Sequence, residues 1–390
     1  LGNLANSSVA NSVAIGSFSR TTAANATNIT GTAGQIAKGV VSVGRVGFER
    51  QIQNVAAGRV DAGSTDAING SQLYALTSLA NANSLHYLSV NDNGTQGSNH
   101  DNKGAAGKNS IAIGVNTSTA TTAENAVALG FKAQANGTDT IAIGTQAKAI
   151  GNTSNTIVIG NTSTSTNNKG SLIFGNGNTS SGNTEIVQIG SGNTSDTSRS
   201  VASIGGLNRT TSSVASSIIG INNSLTASSN SSITGINNNV AGSIAINVSG
   251  VNNNITSSTN NSIIGNNNTL TSGTNNIIAG FDNKLGSGLN QTQVLGSQIT
   301  IDKDVAYAIA VGSGSKVTQN GAVTLGANAV ASQIGSVAIG ANSVASTASD
   351  IDGYEPLYAT QAQKNAISLT KSTASAVSVG DASNGLYRQI

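Results

Sequence analysis

No cysteine, methionine or tryptophan occurs among the 390 residues, and there is one proline. Zero cysteines exclude a disulfide scaffold, a thiolate zinc site and a cysteine nucleophile. Charge is also scarce. Lys and Arg total 18 and Asp and Glu 16, which is 9% of the chain. An ordinary soluble domain carries about a quarter. Between 151 and 300 only Lys169, Glu185, Asp196, Arg199, Arg209, Asp282 and Lys284 are charged. Nucleic-acid binding needs clustered Lys and Arg to neutralise phosphates, so no nucleic acid is expected as a partner. The shortage of charge and proline argues against disorder, and the lack of a glycine at every third position excludes a collagen helix. No apolar run reaches about 18 residues, the length that reads as a membrane-spanning helix. No signal peptide opens the chain and Leu1 is not a start residue, so the sequence reads as a fragment or a processed product.

What fills the space is Gly, Asn, Ser and Thr with Ala, Val and Ile, and these repeat. Ser12-Val13-Ala14-Ile15-Gly16 returns as Ser110-Ile111-Ala112-Ile113-Gly114, and with variation at Gly130, Gly144, Gly326 and Gly340. From Gly114 the marker glycines are spaced 16, 14 and 16 residues apart, then 15 eight times, then 16, 16, 14 and 14. Such a period is too short for a helical hairpin and suits one coil of a β-solenoid, with two short strands and two turns. β-Branched residues favour the strands; Gly, Asn and Ser favour the turns. With coils one strand spacing apart, about 4.8 Å, the fifteen intervals to Gly340 predict a stack of roughly 70 Å.

Alternation divides each strand into a large and a small apolar face. Ala112, Ala128, Ala142 and Ala338 stand where a half-exposed strand would carry polar residues. A narrow coil has one inside. The large residues are expected to fill it, so the alanine face needs another cover, and the simplest is a second copy of the chain. In the middle of the chain the large residue sits two before the glycine, at Ile218, Ile233, Val248, Ile263 and Ile278. This predicts that the inward face has moved by one residue, which in a strand flips every side chain. Asparagine recurs three after the glycine, as at Asn223, Asn238, Asn253 and Asn268, where stacked amides can bond up the stack as a ladder. A turn-stabilising role and a polar ligand-binding stripe both fit that column.

Residues 42–84 do not repeat. Ser64-Thr65-Asp66 reads as a helix N-cap. Ile68, Gln72, Ala75, Leu79 and Ala82 then follow spacings of 4, 3, 4 and 3, a coiled-coil seam with one polar position; Leu73, Leu76 and Ala80 offer a competing seam. About two heptads are too short to be stable alone.

These segments together resemble the trimeric autotransporter adhesins of Gram-negative bacteria. Asn11-Ser12-Val13-Ala14-Ile15-Gly16 and Asn109-Ser110-Ile111-Ala112-Ile113-Gly114 are similar to the repeat of YadA-like heads. Arg50-Gln51-Ile52-Gln53-Asn54-Val55-Ala56-Ala57-Gly58 with Thr65-Asp66-Ala67-Ile68-Asn69-Gly70-Ser71-Gln72-Leu73 is similar to the family's neck. His86 to Asn91 resembles the strand that restarts a head, and 378–390 parallels 42–52 as the start of a second neck.

The resemblance implies an all-β chain: a left-handed parallel β-roll, or solenoid, assembled as a homotrimer, with a neck and a short parallel coiled coil. With it the sequence divides into a head end (1–41), a neck (42–64), a coiled coil (65–84), a restart strand and loop (85–108), head repeats (109–160), further head repeats (301–346) and a second neck (378–390); the Asn-rich 15-residue repeats (161–300) depart from the family's head motif, and an insertion (347–377) interrupts the repeat. It implies a non-enzymatic adhesin on the bacterial cell surface, held in the outer membrane by a C-terminal barrel that this sequence lacks. Its partners would be host cells, extracellular-matrix proteins, glycans or other bacteria. The matching head residues, Ser12, Val13, Ala14, Ile15, Gly16, Ser110, Ala112, Ala128, Ala142 and Ala338, are the expected ligand contacts or head-motif positions. Arg50, Asn54, Asp66, Ile68, Gln72, Leu73 and Leu79 are expected to form the neck and the trimer. No cofactor or metal is expected, since His86 and His100 lack a third ligand with regular spacing. A fibre spacer is the alternative role. A polysaccharide-degrading β-helix like that of a phage tail spike needs paired acids on one sheet face, and an ice-binding solenoid needs ranks of Thr-x-Thr. The sequence suggests neither.

Overall fold

A computed structural model describes residues 1–24, 33, 37–82 and 89–389. The chain forms two compact units, Leu1–Ser89 and Val90–Ile390.

The second unit is a stack of coils, each contributing one strand to each of two parallel sheets. The first strands run from Ile111–Ile113 to Val377–Ser378, and each pairs with its counterpart one coil on. The second strands, from Ser118–Thr119 to Val344–Ala345, form a 16-stranded parallel sheet. The marker glycines end the first strands and stack directly on one another. From Gly114 to Gly340 their φ lies between 102° and 151°, a region closed to other residues. A side chain on Gly235 would overlap the carbonyl oxygen of Gly250 in the next coil. Asparagine supplies the left-handed corner two residues later, as at Asn222, Asn237 and Asn252 with φ of 55–57°.

The interior corrects the expected orientation. Ala14, Ala128, Ala142 and Ala338 point inside and are buried, while Val13, Ile15 and Ile111 are more than two-fifths exposed. The small face is thus the inner one, and the large face is turned outward. Nor does the inward face flip in the middle block. The strand register carries Ala142 onto Val158, Val158 onto Ile173, and so through Gln188 and Ser203 to Ile218, Ile233 and Val248 without a slip. The position two before the glycine faces inward throughout; only its size changes. Where the coil is narrow, alanines meet across it, as Ala128 does with Ala133 and Ala135. In the 15-residue coils Ile218, Leu225, Ile233 and Val240 fill a broader interior.

That interior also contains polar columns, and these are hydrogen-bonded along the stack. The Oδ1 of Asn238 accepts from the backbone N–H of Asn253 at 3.0 Å and from its Nδ2 at 2.9 Å. The Nδ2 of Asn238 donates to Asn223 Oδ1 at 3.1 Å and to the Gly250 carbonyl at 2.7 Å. The same pattern joins Asn223 to Asn208 and Asn268 to Asn253. A second column, eight after the glycine, links Ser213, Ser228, Ser243 and Ser258, each hydroxyl accepting the next coil's backbone N–H at 3.1–3.4 Å. Buried amides and hydroxyls are tolerated because each finds partners.

In the first unit Val13 pairs with Val41 and Ala14 with Ser42. Arg50 closes this end: Nη1 donates to the Val43 carbonyl at 2.6 Å and to Ser19 Oγ at 3.1 Å, and Nη2 to the Ser17 carbonyl at 2.8 Å. The helix α1 spans Gly70–Ala82. Its cap is not Ser64-Thr65-Asp66, because the Asp66 carboxylate accepts from the Arg59 N–H and Nε, at 3.1 and 3.3 Å. Asn69 caps instead, its Oδ1 accepting from Gln72 N–H at 3.3 Å while Gln72 Oε1 accepts from Asn69 N–H at 3.1 Å. The late start leaves Ile68 ahead of the helix. No residue of α1 is buried within the chain. The ends of the expected coiled coil (83–84) and of the restart strand (86–88) lie outside the described residues.

The end of the second unit repeats the arrangement around Arg50. Val337 pairs with Val377 and Ala338 with Ser378. Arg388 donates to the Val379 carbonyl, to Ser343 Oγ at 2.8 Å and to the Ala341 carbonyl at 2.5 Å. Here a 3-10 turn, Ala382–Asn384, is capped by Asp381. The segment before this neck carries helix α2, Gln361–Ser368, with a Thr360–Gln363 capping box.

Candidate functional site

The outward side of the first-strand sheet has three columns: three and one before each marker glycine, and one after it. None of the three carries a charged residue from Ile111 to Ala341. In the narrow coils the first two are large and apolar, as in Ile141/Ile143, Ile157/Ile159 and Val337/Ile339. Several are 40–57% exposed, including Ile111, Leu129, Phe174, Leu295 and Ile339. An uncharged apolar stripe running through the coils is far longer than the isolated patches of a monomer surface. In the first unit, helix α1 exposes Leu73, Leu76 and Leu79, each by more than half.

The second-strand sheet presents a different outward face. Its columns four and six after the glycine are hydroxyl- and amide-bearing from Thr164 and Thr166 through to Thr269 and Thr271, so the threonines do keep a register here. Asp196, Arg209 and Ala241 interrupt these columns. Lys148, Lys284 and Lys316 share the fourth-after column towards either side.

The expected ligand contacts fall in different places. Val13 and Ile15 face outward. Ser12 uses its hydroxyl to accept from Val40 N–H at 3.0 Å, and Ser110 donates to the Gly107 carbonyl at 2.7 Å. Gly16 lies under the Arg50 guanidinium. Ala112 is half-buried, and Ala14, Ala128, Ala142 and Ala338 are sealed inside, out of reach of any ligand. In the neck, Asn54 takes a left-handed turn at φ 63°. Gln72 does not offer a free amide to a seam: its Nε2 donates to the Gly58 carbonyl at 2.7 Å and its Oε1 accepts from Gly58 N–H at 3.1 Å. Asn223, Asn238, Asn253 and Asn268 are buried in the ladder. The serine column went unread; a serine eight after five successive glycines was the available signal.

Among the described residues no three of His, Asp and Glu gather as metal ligands. His100 Nδ1 lies 3.2 Å from Asp101 Oδ1 on the surface; His86 lies outside the described residues. Glu185, an acid of the first-strand sheet in the middle block, accepts from Ser200 Oγ at 2.6 Å.

Family comparison assigns these parts. Residues 51–96 match the coiled stalk of trimeric autotransporter adhesin. Overlapping copies over 105–163, and again at 306–329 and 321–343, match the YadA head domain repeat. The chain carries the head and stalk of a trimeric autotransporter adhesin. The autotransporter adhesin BtaE of Brucella suis biovar 1 (strain 1330) is 61% identical over 44 residues, which is 11% of this chain and 6% of that protein. The chain thus spans a small part of this curated relative. The C-terminal YadA-like domain of BPSL2063 from Burkholderia pseudomallei is 46% identical, covering 21% of this chain and 42% of that one with a TM-score of 0.20.

Proposed function

We propose that this chain forms the non-enzymatic head region of a bacterial surface adhesin, assembled as a homotrimer and facing outward from the outer membrane. The observation that carries the reading is the charge-free outward face of the first-strand sheet, where Ile, Val, Leu and Phe stand in half-exposed columns. Burying such side chains stabilises by about 1.5–3 kcal/mol each when complete, and three copies packed on this face gain that burial. Helix α1, with nothing buried in its own chain, supports the same assembly. Residues 42–64 serve as the neck and 347–377 as an insertion before the second one.

The second-strand sheet then forms the exposed exterior. Matrix proteins or glycans on host cells would meet it through many weak contacts, multiplied by three chains and by many fibres. Sedimentation of the purified protein tests the assembly, and a monomer refutes it. Binding to host cells and matrix proteins, compared with a variant lacking 161–300, tests the role. Saturable binding that is lost with the block supports an adhesive head. Equal binding assigns the block to spacing, and no binding by either form refutes the adhesin reading.

A further inference from the structure

The apolar face is not straight. At the 14- and 16-residue coils it occupies the columns three and one before the glycine, as in Ile141/Ile143 and again in Ile309/Val311. Through the coils of Gly220, Gly235 and Gly250 the first column is Ser217, Ser232 and Asn247, and the second becomes polar at Thr234 and Ser249. An apolar column there follows the glycine: Ile221, 50% exposed, Ile236, 42%, and Val251, half-buried, while Ile219, also 50% exposed, is the last to stand before it ahead of the change. The strand register runs unbroken across this change, so the stripe itself crosses the surface, by two to four residues or roughly 7–14 Å along the strand.

We infer that the contact between copies of the chain migrates around the coil in the middle block, from the columns before the marker glycine to Ile221, Ile236 and Val251 after it. This rests on the homotrimer proposed above. A second copy is the occupant because the stripe continues that face, remains free of charge, and returns to the original columns from Ile264 and Ile277 onward. A separate observation lies on the vacated side. A groove of about 600 Å³ opens there, lined by Ala202, Ser217, Ser232 and Glu185. The exposed Glu185 carboxylate belongs in water, since a charge is costly to bury unpaired. The contact has left the groove to solvent between neighbouring copies.

The absence of native cysteine makes the test direct. Single variants I236C, V251C, S232C, N247C and I141C, with N254C as an exposed reference, are first sedimented and then labelled with a maleimide in the native assembly. The expected result is a trimer in which I236C, V251C and I141C react about tenfold more slowly than N254C, a difference equivalent to about 1.4 kcal/mol. S232C and N247C should react at the reference rate. A trimer in which S232C and N247C are protected, with or without I236C and V251C, overturns the migration and leaves the trimer standing. A trimer with all four middle positions reactive also overturns it. A monomer with every site reactive overturns the homotrimer reading itself.

Discussion

At the scale of single residues, the fold depends on positions that admit one side chain. Gly235 holds φ at 135° with the Gly250 carbonyl where a Cβ would stand. Gly235→Ala therefore has both a backbone and a steric cost, and is expected to destabilise by about 3 kcal/mol or more. Gly242 has φ 57° and a Cβ there would meet only the Ser257 Oγ, at an ordinary 3.9 Å, and its neighbours in the same column are Ala227 and Ser257. Gly242→Asn should change stability by less than about 0.5 kcal/mol. Urea denaturation of the two variants distinguishes them; equal effects would show that the glycine column is replaceable. Asn238 is a second such position. Asn238→Ala strips partners from the Asn253 N–H and the Gly250 carbonyl, both inside the stack. Each orphaned buried group costs about 1–3 kcal/mol, so the loss should exceed that of Asn239→Ala on the outer face by at least about 2 kcal/mol in the same assay.

At the scale of elements, the coil period, the marker glycines and the parallel neck segments were all legible. They are positional, and position survives in a sequence. Which face lay inside was not. Alternation groups Ile111 with Ile113 against Ala112, but the usual guide, larger apolar inside, fails when a narrow coil has room only for alanine and the larger face has another destination. The supposed flip at Ile218 has the same origin: a change of side-chain size in one inward column mimicked a change of register. The helix cap was misread because Ser64-Thr65-Asp66 has the right composition, whereas Asn69 wins through its reciprocal bonds with Gln72. The turn at Ala382–Asn384 offers a pH test. Asp381 accepts from the Ser383 hydroxyl at 2.5 Å and Asn384 Nδ2 at 2.6 Å. These bonds, Ser383's foremost, hold its carboxyl below the ordinary 3.8 despite an opposing effect of burial. A depressed folded value means the turn is stabilised above the ordinary carboxylate range and loses that support as pH falls through the folded value, below 3.8. Hydrogen exchange at 381–386, corrected for its intrinsic rate, should quicken at the acid end. In Asp381→Asn it should be faster at neutral pH and lack the acid step. An acid step that persists in Asp381→Asn would assign it to another group.

At the scale of the whole molecule, each coil contacts only its neighbours, so stability is close to a sum of coil and interface terms. The middle block tests this cleanly, since its coils share a 15-residue period and every inward column is continuous. Deleting 236–250 joins Gly235 to Val251. Asn223 is then followed in the ladder by Asn253, Leu225 by Ile255, Ser228 by Ser258 and Ile233 by Ile263, each pair of like chemistry. The variant is expected to fold, to assemble as the parent does, and to melt within about 4 °C of it, the shift that roughly 1–2 kcal/mol produces in a chain of this size. Deleting 236–242 removes half a coil and puts exposed positions under inward ones for the rest of that turn. It brings Ile244 to the left-handed corner column and Ala245 to the ladder position of Asn238, leaving the bonds of Asn223 and Asn253 without their connecting amide. That variant should lose the cooperative transition or melt at least about 10 °C lower. Thermal melting followed by circular dichroism reads both. If the two deletions behave alike, the coil is not the unit of stability, and the continuous columns of asparagine, serine and isoleucine do not hold the stack together.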